Sequence, residues 1–344
     1  MKRFTRTIAW SIAVSTAAHA QIVHTDQPSG TSELLIAVSP VSDKVAWVSG
    51  QHGRWLRTTD GGAHWQVGHV PGADSLQFRD VHAVDANTAY LLSIGNGSQS
   101  RIYKTTDSGK HWTLQATNPD SAGFYDCMDF WDPTHGAVVG DAVAGQIVIL
   151  TTIDGGAHWN RVRASALPAA LLNEGSFAAS GTCLVTRPGG QAWIVSSNAQ
   201  QARLLHSADF GQTWQLEMLP ITTHSGSGPQ SVSFRDQENG AVFGGGAAVL
   251  PSDVLVAVTV DAGAHWTART SPELKQGLWA GAYVPGANPT AIVAVGPDGA
   301  VYSRDDGMNW IAIDGFDYWS VGMASPRAGW AVGANGRITK LSGF

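Results

Sequence analysis

The stretch TTDGGAHW at residues 58–65 returns five more times in this chain, as TTDSGKHW (105–112), TIDGGAHW (152–159), SADFGQTW (207–214), TVDAGAHW (259–266) and SRDDGMNW (303–310). The shared pattern is Ser/Thr-x-Asp-x-Gly-x-x-Trp. Its closing tryptophans, Trp65, Trp112, Trp159, Trp214, Trp266 and Trp310, are separated by 47, 47, 55, 52 and 44 residues. Repetition at this interval means an array of one supersecondary unit, each copy burying a face against the next. Upstream of every copy lie a short turn, an apolar run, a Gly-rich turn and a second apolar run, as in KVAWVSGQHGRWLRTTDGGAHW and PTAIVAVGPDGAVYSRDDGMNW. Apolar runs this short, broken by Gly and Asn, are strands. Four strands per unit predicts an all-β fold, a β-propeller of four-stranded antiparallel blades.

Within a blade the repeated octet belongs in the turn between the third and fourth strands. Its Asp (Asp60, Asp107, Asp154, Asp209, Asp261, Asp305) is expected to accept backbone N–H bonds of its own turn. The Ser or Thr hydroxyl two residues earlier closes the same turn. The Gly (Gly62, Gly109, Gly156, Gly211, Gly263, Gly307) supplies a positive φ, and the Trp buries its ring between neighbouring sheets. One carboxylate per blade, spread around a ring, cannot converge on one ligand, so the octets are read as structural.

Six octets do not mean six blades. After Trp310 the chain runs on through GWAVGANGRITK and stops where the next octet should come. The stretch QIVHTDQPSGT at residues 21–31 is the missing piece. Seven blades are expected, the N-terminal strand completing the last and removing an open edge.

Residues 1–20 carry a basic start (Lys2, Arg3, Arg6), an apolar stretch and Ala18-His19-Ala20, the layout of a secretory signal peptide cleaved near Ala20. The expectation is an exported chain, one propeller over residues 21–344, with no transmembrane anchor. Removing the leader takes three of 21 basic residues and none of 27 acidic ones, leaving 18 against 27, a net charge of −9. That argues against a nucleic-acid partner, which needs a cationic surface.

The octet is the Asp-box, or BNR repeat, of sialidases and other propellers. The longer stretches RDVHAVDANTAYLLSIGNGSQSRIYKTTDSGKHW and GWAVGANGRITK resemble the photosystem II stability/assembly factor-like family across essentially the whole mature chain. The resemblance implies a lumenal or periplasmic chaperone-like scaffold that binds a reaction-centre assembly intermediate, in phototrophs through a basic patch. It implies a protein partner; no cofactor is expected, and a monomer is expected.

Loop lengths sort by face. Turns between first and second strands are short and uniform. NRVRASALPAALLNEGS (160–176), PITTHSGSGPQ (220–230) and GGGAAVLPSD (244–253) are long and belong to the opposite face. Variable loops on a rigid scaffold carry binding, so this face and the channel mouth beneath it are the expected docking surface. Tyr125, Asp126, Asp129, Asp141 and Glu174 should point there, with Arg101 a lone cation and Trp279, Tyr318 and Trp319 as aromatic surface. Aromatics beside carboxylates suit a protein or carbohydrate ligand.

The alternative is a glycan-binding or glycoside-hydrolase propeller, sialidase-like, with two carboxylates about 5 to 9.5 Å apart drawn from Asp126, Asp129, Asp141 or Glu174. Arg79 and Arg235 sit in matching FRD triplets and are read as equivalent, structural positions. No dinucleotide-type Gly motif or haem-attachment cysteine pair supports redox chemistry. Four histidines (His64, His111, His158, His265) fill one repeated octet slot and cannot meet at one ion, so no metal is assigned. Cys127 and Cys183 occupy near-equivalent places on the innermost strands of blades 3 and 4, and a disulfide is expected in an oxidising compartment.

Overall fold

A computed structural model describes residues 22–344; the expected signal peptide and cleavage near Ala20 lie outside the described residues. Seven four-stranded antiparallel sheets form the blades of a β-propeller. The innermost strands are Leu35–Pro40, Phe78–Ala83, Tyr125–Phe130, Leu184–Arg187, Ser227–Phe234, Ala280–Tyr283 and Tyr318–Ser325 in blades 1 to 7. Three short 3-10 turns are the only helical elements among the described residues.

Burial falls from the second strand outward. AWVSG, AYLLS, IVAVG and AGWAVG are buried at every position, because each second strand is covered on both faces by neighbouring blades and reads as a continuous apolar run. Outer strands such as QLEM and TLQAT are mostly exposed. The cores lie between blades. One joins Leu35, Val48 and Leu56 of blade 1 to Trp330, Val332 and Ile338 of blade 7.

Ring closure is the pairing of Val23–Gln27 with the last strand, Val23 opposite Ser342 through Gln27 opposite Ile338. Gln27 fastens the seam. Its Oε1 accepts the indole N–H of Trp65 (3.2 Å) in blade 1 and of Trp330 (3.1 Å) in blade 7, and its Nε2 donates to Gly61 O. Asp26 adds bonds from Arg337 and Thr339.

All six octets have the expected wiring. In the first, Thr58 Oγ1 donates to Asp60 Oδ1 (2.9 Å) and accepts Gly62 N–H (2.9 Å), while His64 N–H reaches Asp60 Oδ1 (2.9 Å). The glycines have φ between +76° and +96°. The residue before each glycine is left-handed too, although in four octets it carries a side chain: Ser108, Phe210, Ala262 and Asp306, at φ 52–70°. The backbone of the turn, over-determined by its hydrogen bonds, overrides the steric cost of a Cβ there. Of the octet tryptophans only Trp214 is fully buried. Trp65 packs edge-on against Trp330 of blade 7 and Trp112 against Trp47 and Trp55 of blade 1, so these indoles tie one blade to the next from a half-covered position. Cys127 and Cys183 form a disulfide between blades 3 and 4, with Cα atoms 5.9 Å apart.

Candidate functional site

The chain from Arg161 to Leu184 does not stay on the surface. After its 3-10 turn at Ala164–Ala166, it pairs Gly175 with Ser197 and then crosses the propeller axis. Four blades take hold of it there. Ala178 O accepts from Arg79 of blade 2 (3.0 Å), and Ser180 O accepts from Ser320 of blade 7 (3.1 Å). Ser180 Oγ donates to Trp279 O of blade 6 (2.8 Å), and Thr182 Oγ1 donates to Ser231 Oγ of blade 5 (2.8 Å). Gly181, at φ +75°, lies so close to Asp80 that a Cβ would overlap its carboxyl. Only a segment inside the channel reaches blades so widely spaced, so residues 178–182 form a plug.

The plug is anchored by a buried ion pair. Arg203 Nη1 meets Glu174 Oε2 at 2.6 Å, with side chains 3% and 1% exposed. The same carboxylate accepts Leu171 N–H (2.7 Å) and Ser196 Oγ–H (2.8 Å). Both Glu174 oxygens are therefore occupied in fixing the backbone that leads into the channel.

The plug leaves two blind concavities. On the variable-loop side is a polar cavity of about 430 Å³ walled by Asp141, Glu174 to Phe177, Asn198 and His224. Beyond Phe177, the channel mouth carries a cluster from three blades. Trp279 and Trp319 meet edge-to-face at 4.6 Å, and the Arg79 guanidinium stacks on Trp319 at 4.8 Å. An indole pair with a stacked guanidinium is an adhesive surface of the kind found at interface hot spots. On the other side, about 300 Å³ remains above the plug, with Asp80, His82 and Asp129 in its wall. Burial pushes the Asp80 carboxyl well above the usual range.

The family model for the photosystem II assembly factor YCF48 matches residues 114–274. The matched stretch, just under half of the 344 residues, is similar to that of a photosystem II assembly factor. Among solved structures, YCF48 bound to a D1 peptide is similar at TM-score 0.61 and 16% identity, covering 93% of this chain and 96% of that one. YCF48 from Cyanidioschyzon merolae gives TM-score 0.63 and 15% identity over 93% and 98%. The GH74 xyloglucanase from Xanthomonas campestris gives TM-score 0.63 and 14% identity, but this chain spans only 53% of it. At such identities the likeness shows the fold alone. No curated protein matches the sequence.

In this propeller the nine expected surface residues divide. Trp279 and Trp319 stand at the channel mouth, Asp141 lines the variable-side cavity, and Arg101 lies at the second–third turn of blade 2, bonded to Ser98 O and Tyr103 Oη. The rest are not docking surface. Tyr318 is fully buried and bonds Thr339 and Asp314. Glu174 is consumed by Arg203. Asp126 is 1% exposed, and burial followed by the neighbouring Asp141 carboxyl pushes it well above the usual range. Tyr125 is buried toward the groove between blades 2 and 3. Asp129 sits at the far end of its strand, tied to His82 and Thr186, because a six-residue strand carries residue 129 away from the face at which residue 125 enters. Burial raises the Asp141 carboxyl to about 6.

Arg79 is the channel-mouth residue that the repeat concealed. Its FRD triplet, residues 78–80, opens the inner strand of blade 2, whereas residues 234–236 close that of blade 5. The triplets lie at opposite ends of their strands, so Arg79 reaches the channel mouth while Arg235 approaches Asp306 on the octet face. Strand register was the signal that separates them.

Proposed function

We propose that this chain is an exported, non-catalytic scaffold that binds a protein partner through its variable-loop face, with Arg79, Trp279 and Trp319 at the centre of the contact and the Asp141-walled cavity beside it. The observation that carries this reading is the cation–aromatic cluster at the channel mouth, built from blades 2, 6 and 7 and steadied by the plug. Ligand-binding clusters of this type concentrate energy in a few aromatic and arginine side chains. A solved YCF48 with bound D1 peptide supports a polypeptide as the occupant. The mature charge favours a partner segment that is neutral or basic overall.

A glycan-hydrolysing reading needs two carboxylates facing one cavity. Asp141 faces the variable-side cavity, but Glu174 is locked by Arg203, Ser196 and Leu171, and Asp126 is buried. Asp80 and Asp129 share the wall of the other cavity, but Asp80 is 3% exposed and accepts Met128 N–H, and Asp129 is held by His82 and Thr186, which supports the scaffold reading over it. The test is affinity capture from the organism's own extract with Trp319→Ala and Trp279→Ala variants, folding verified by circular dichroism. The same partner should bind each variant about 30-fold more weakly, the loss of a hot spot worth about 2 kcal/mol. Undiminished capture by both variants would reject the channel mouth as the contact.

A further inference from the structure

Away from the channel, the groove between the outer strand of blade 2 (Thr113–Thr117) and blade 3 encloses a cavity of about 290 Å³. Its walls are apolar, formed by Ala116, Val148, Leu150 and the Trp159 ring. Three of its polar side chains offer hydrogen-bond donors that no acceptor among the described residues takes. Asn118 is 5% exposed; its Oδ1 accepts Asp120 N–H at 3.0 Å, which sets the amide so that Nδ2 faces no acceptor. A buried donor left in this state costs about 1–3 kcal/mol unless a ligand or water satisfies it. The Arg161 guanidinium, on the two-residue outer strand of blade 3, forms no hydrogen bond or ion pair among the described residues. The Tyr125 hydroxyl has no partner there either, and burial pushes it up to about 12, so it remains a neutral donor. Asp120, the one acid at the lip, accepts Ala122 N–H.

The corresponding groove between blades 5 and 6 shows that this donor set is not a by-product of the repeat. There the wall carries Glu273, Asp298 and Asp314, and the Trp310 indole already donates to Thr270 O.

We propose that the blade 2–3 groove binds a monocarboxylate with an apolar or aromatic body, its carboxylate received by Arg161, Asn118 Nδ2 and the Tyr125 hydroxyl. Guanidinium–carboxylate bonding supplies the affinity and orientation, the apolar wall receives the body, and Asp120 disfavours a second negative charge. The carboxylate can come from a small free acid or from the C-terminus of a peptide. This site is independent of the channel-mouth surface.

Titration calorimetry on the intact mature protein tests it with 3-phenylpropanoate, 3-phenylpropanamide, and acetyl-Ala-Ala-Phe as acid and as amide. At least one acid should bind at least tenfold more tightly than its amide, and Arg161→Met should remove that difference while leaving the fold intact, because the side chain is exposed. Binding of the small acid alone identifies a free metabolite-like ligand; binding of the peptide acid alone identifies a chain terminus. Equal binding of acid and amide, retention of acid binding in both Arg161→Met and Asn118→Leu, or no binding of any probe at millimolar concentration would overturn the proposal.

Discussion

A protein beginning at Pro28, and so lacking Val23–Gln27, is expected to lose about 5 kcal/mol or more of stability, most of the margin of an ordinary domain. The missing strand leaves two indole N–H groups without acceptors, one of them on fully buried Trp330. Each such orphan costs about 1–3 kcal/mol. It also strips the outer neighbour from Ile338–Ser342, turning a paired strand into an open edge that templates aggregation. Urea denaturation of the truncated and intact chains measures the difference, with Gln27→Leu as the milder version, expected to cost about 2–3 kcal/mol through the same two indoles. An unchanged midpoint for the truncation would mean that the ring closes some other way.

The second large effect is expected at Arg203. Arg203→Leu leaves the Glu174 carboxylate buried without its counter-charge, and breaking a buried pair from one side costs about 3–5 kcal/mol. Arg203→Leu with Glu174→Leu should recover much of this, because an apolar pair needs no compensating charge. Recovery will be incomplete, since Glu174 also holds Leu171 N–H and Ser196 Oγ–H. The damage should be local as well. Amide hydrogen exchange across residues 170–182 should accelerate in both variants while the second strands stay protected. If exchange in that segment does not change, Glu174 is not the anchor of the plug.

What could be read from the sequence was whatever repeats or is set by neighbours in the chain. The octet wires its own turn, so Asp60, Gly62 and Trp65 announce a blade corner without reference to anything distant. Counting those corners, and noticing that the last blade lacks its outer strand, is enough to reach seven blades and the N-terminal closure. The Cys127–Cys183 pairing followed from equivalent places in adjacent repeats. The plug was not legible for the opposite reason. FAASGTC, residues 177–183, is short, small and without period, and its partners Arg79, Trp279, Ser320 and Ser231 are scattered over four blades. Tyr318 was misplaced because an aromatic at a blade entrance looks the same in sequence whether it turns to the mouth, as Trp319 does, or into the blade to bond Thr339. Alternation along one strand decides between them, and a bulge between residues 318 and 320 disturbs that alternation.

The claim on which the functional account depends is that a protein partner docks on the variable-loop face, and site-specific photocrosslinking tests it most directly. A photoreactive phenylalanine analogue is placed at Leu172 or Ala199 on the variable side, and at Ile153 or Val260 in octets on the opposite face; Leu172, Ile153 and Val260 are 83%, 73% and 70% exposed, and Ala199 lines the cavity. Illumination in the organism's own cells should yield one discrete adduct from Leu172 and Ala199 and none from Ile153 and Val260. Adducts from the octet face alone would contradict the account.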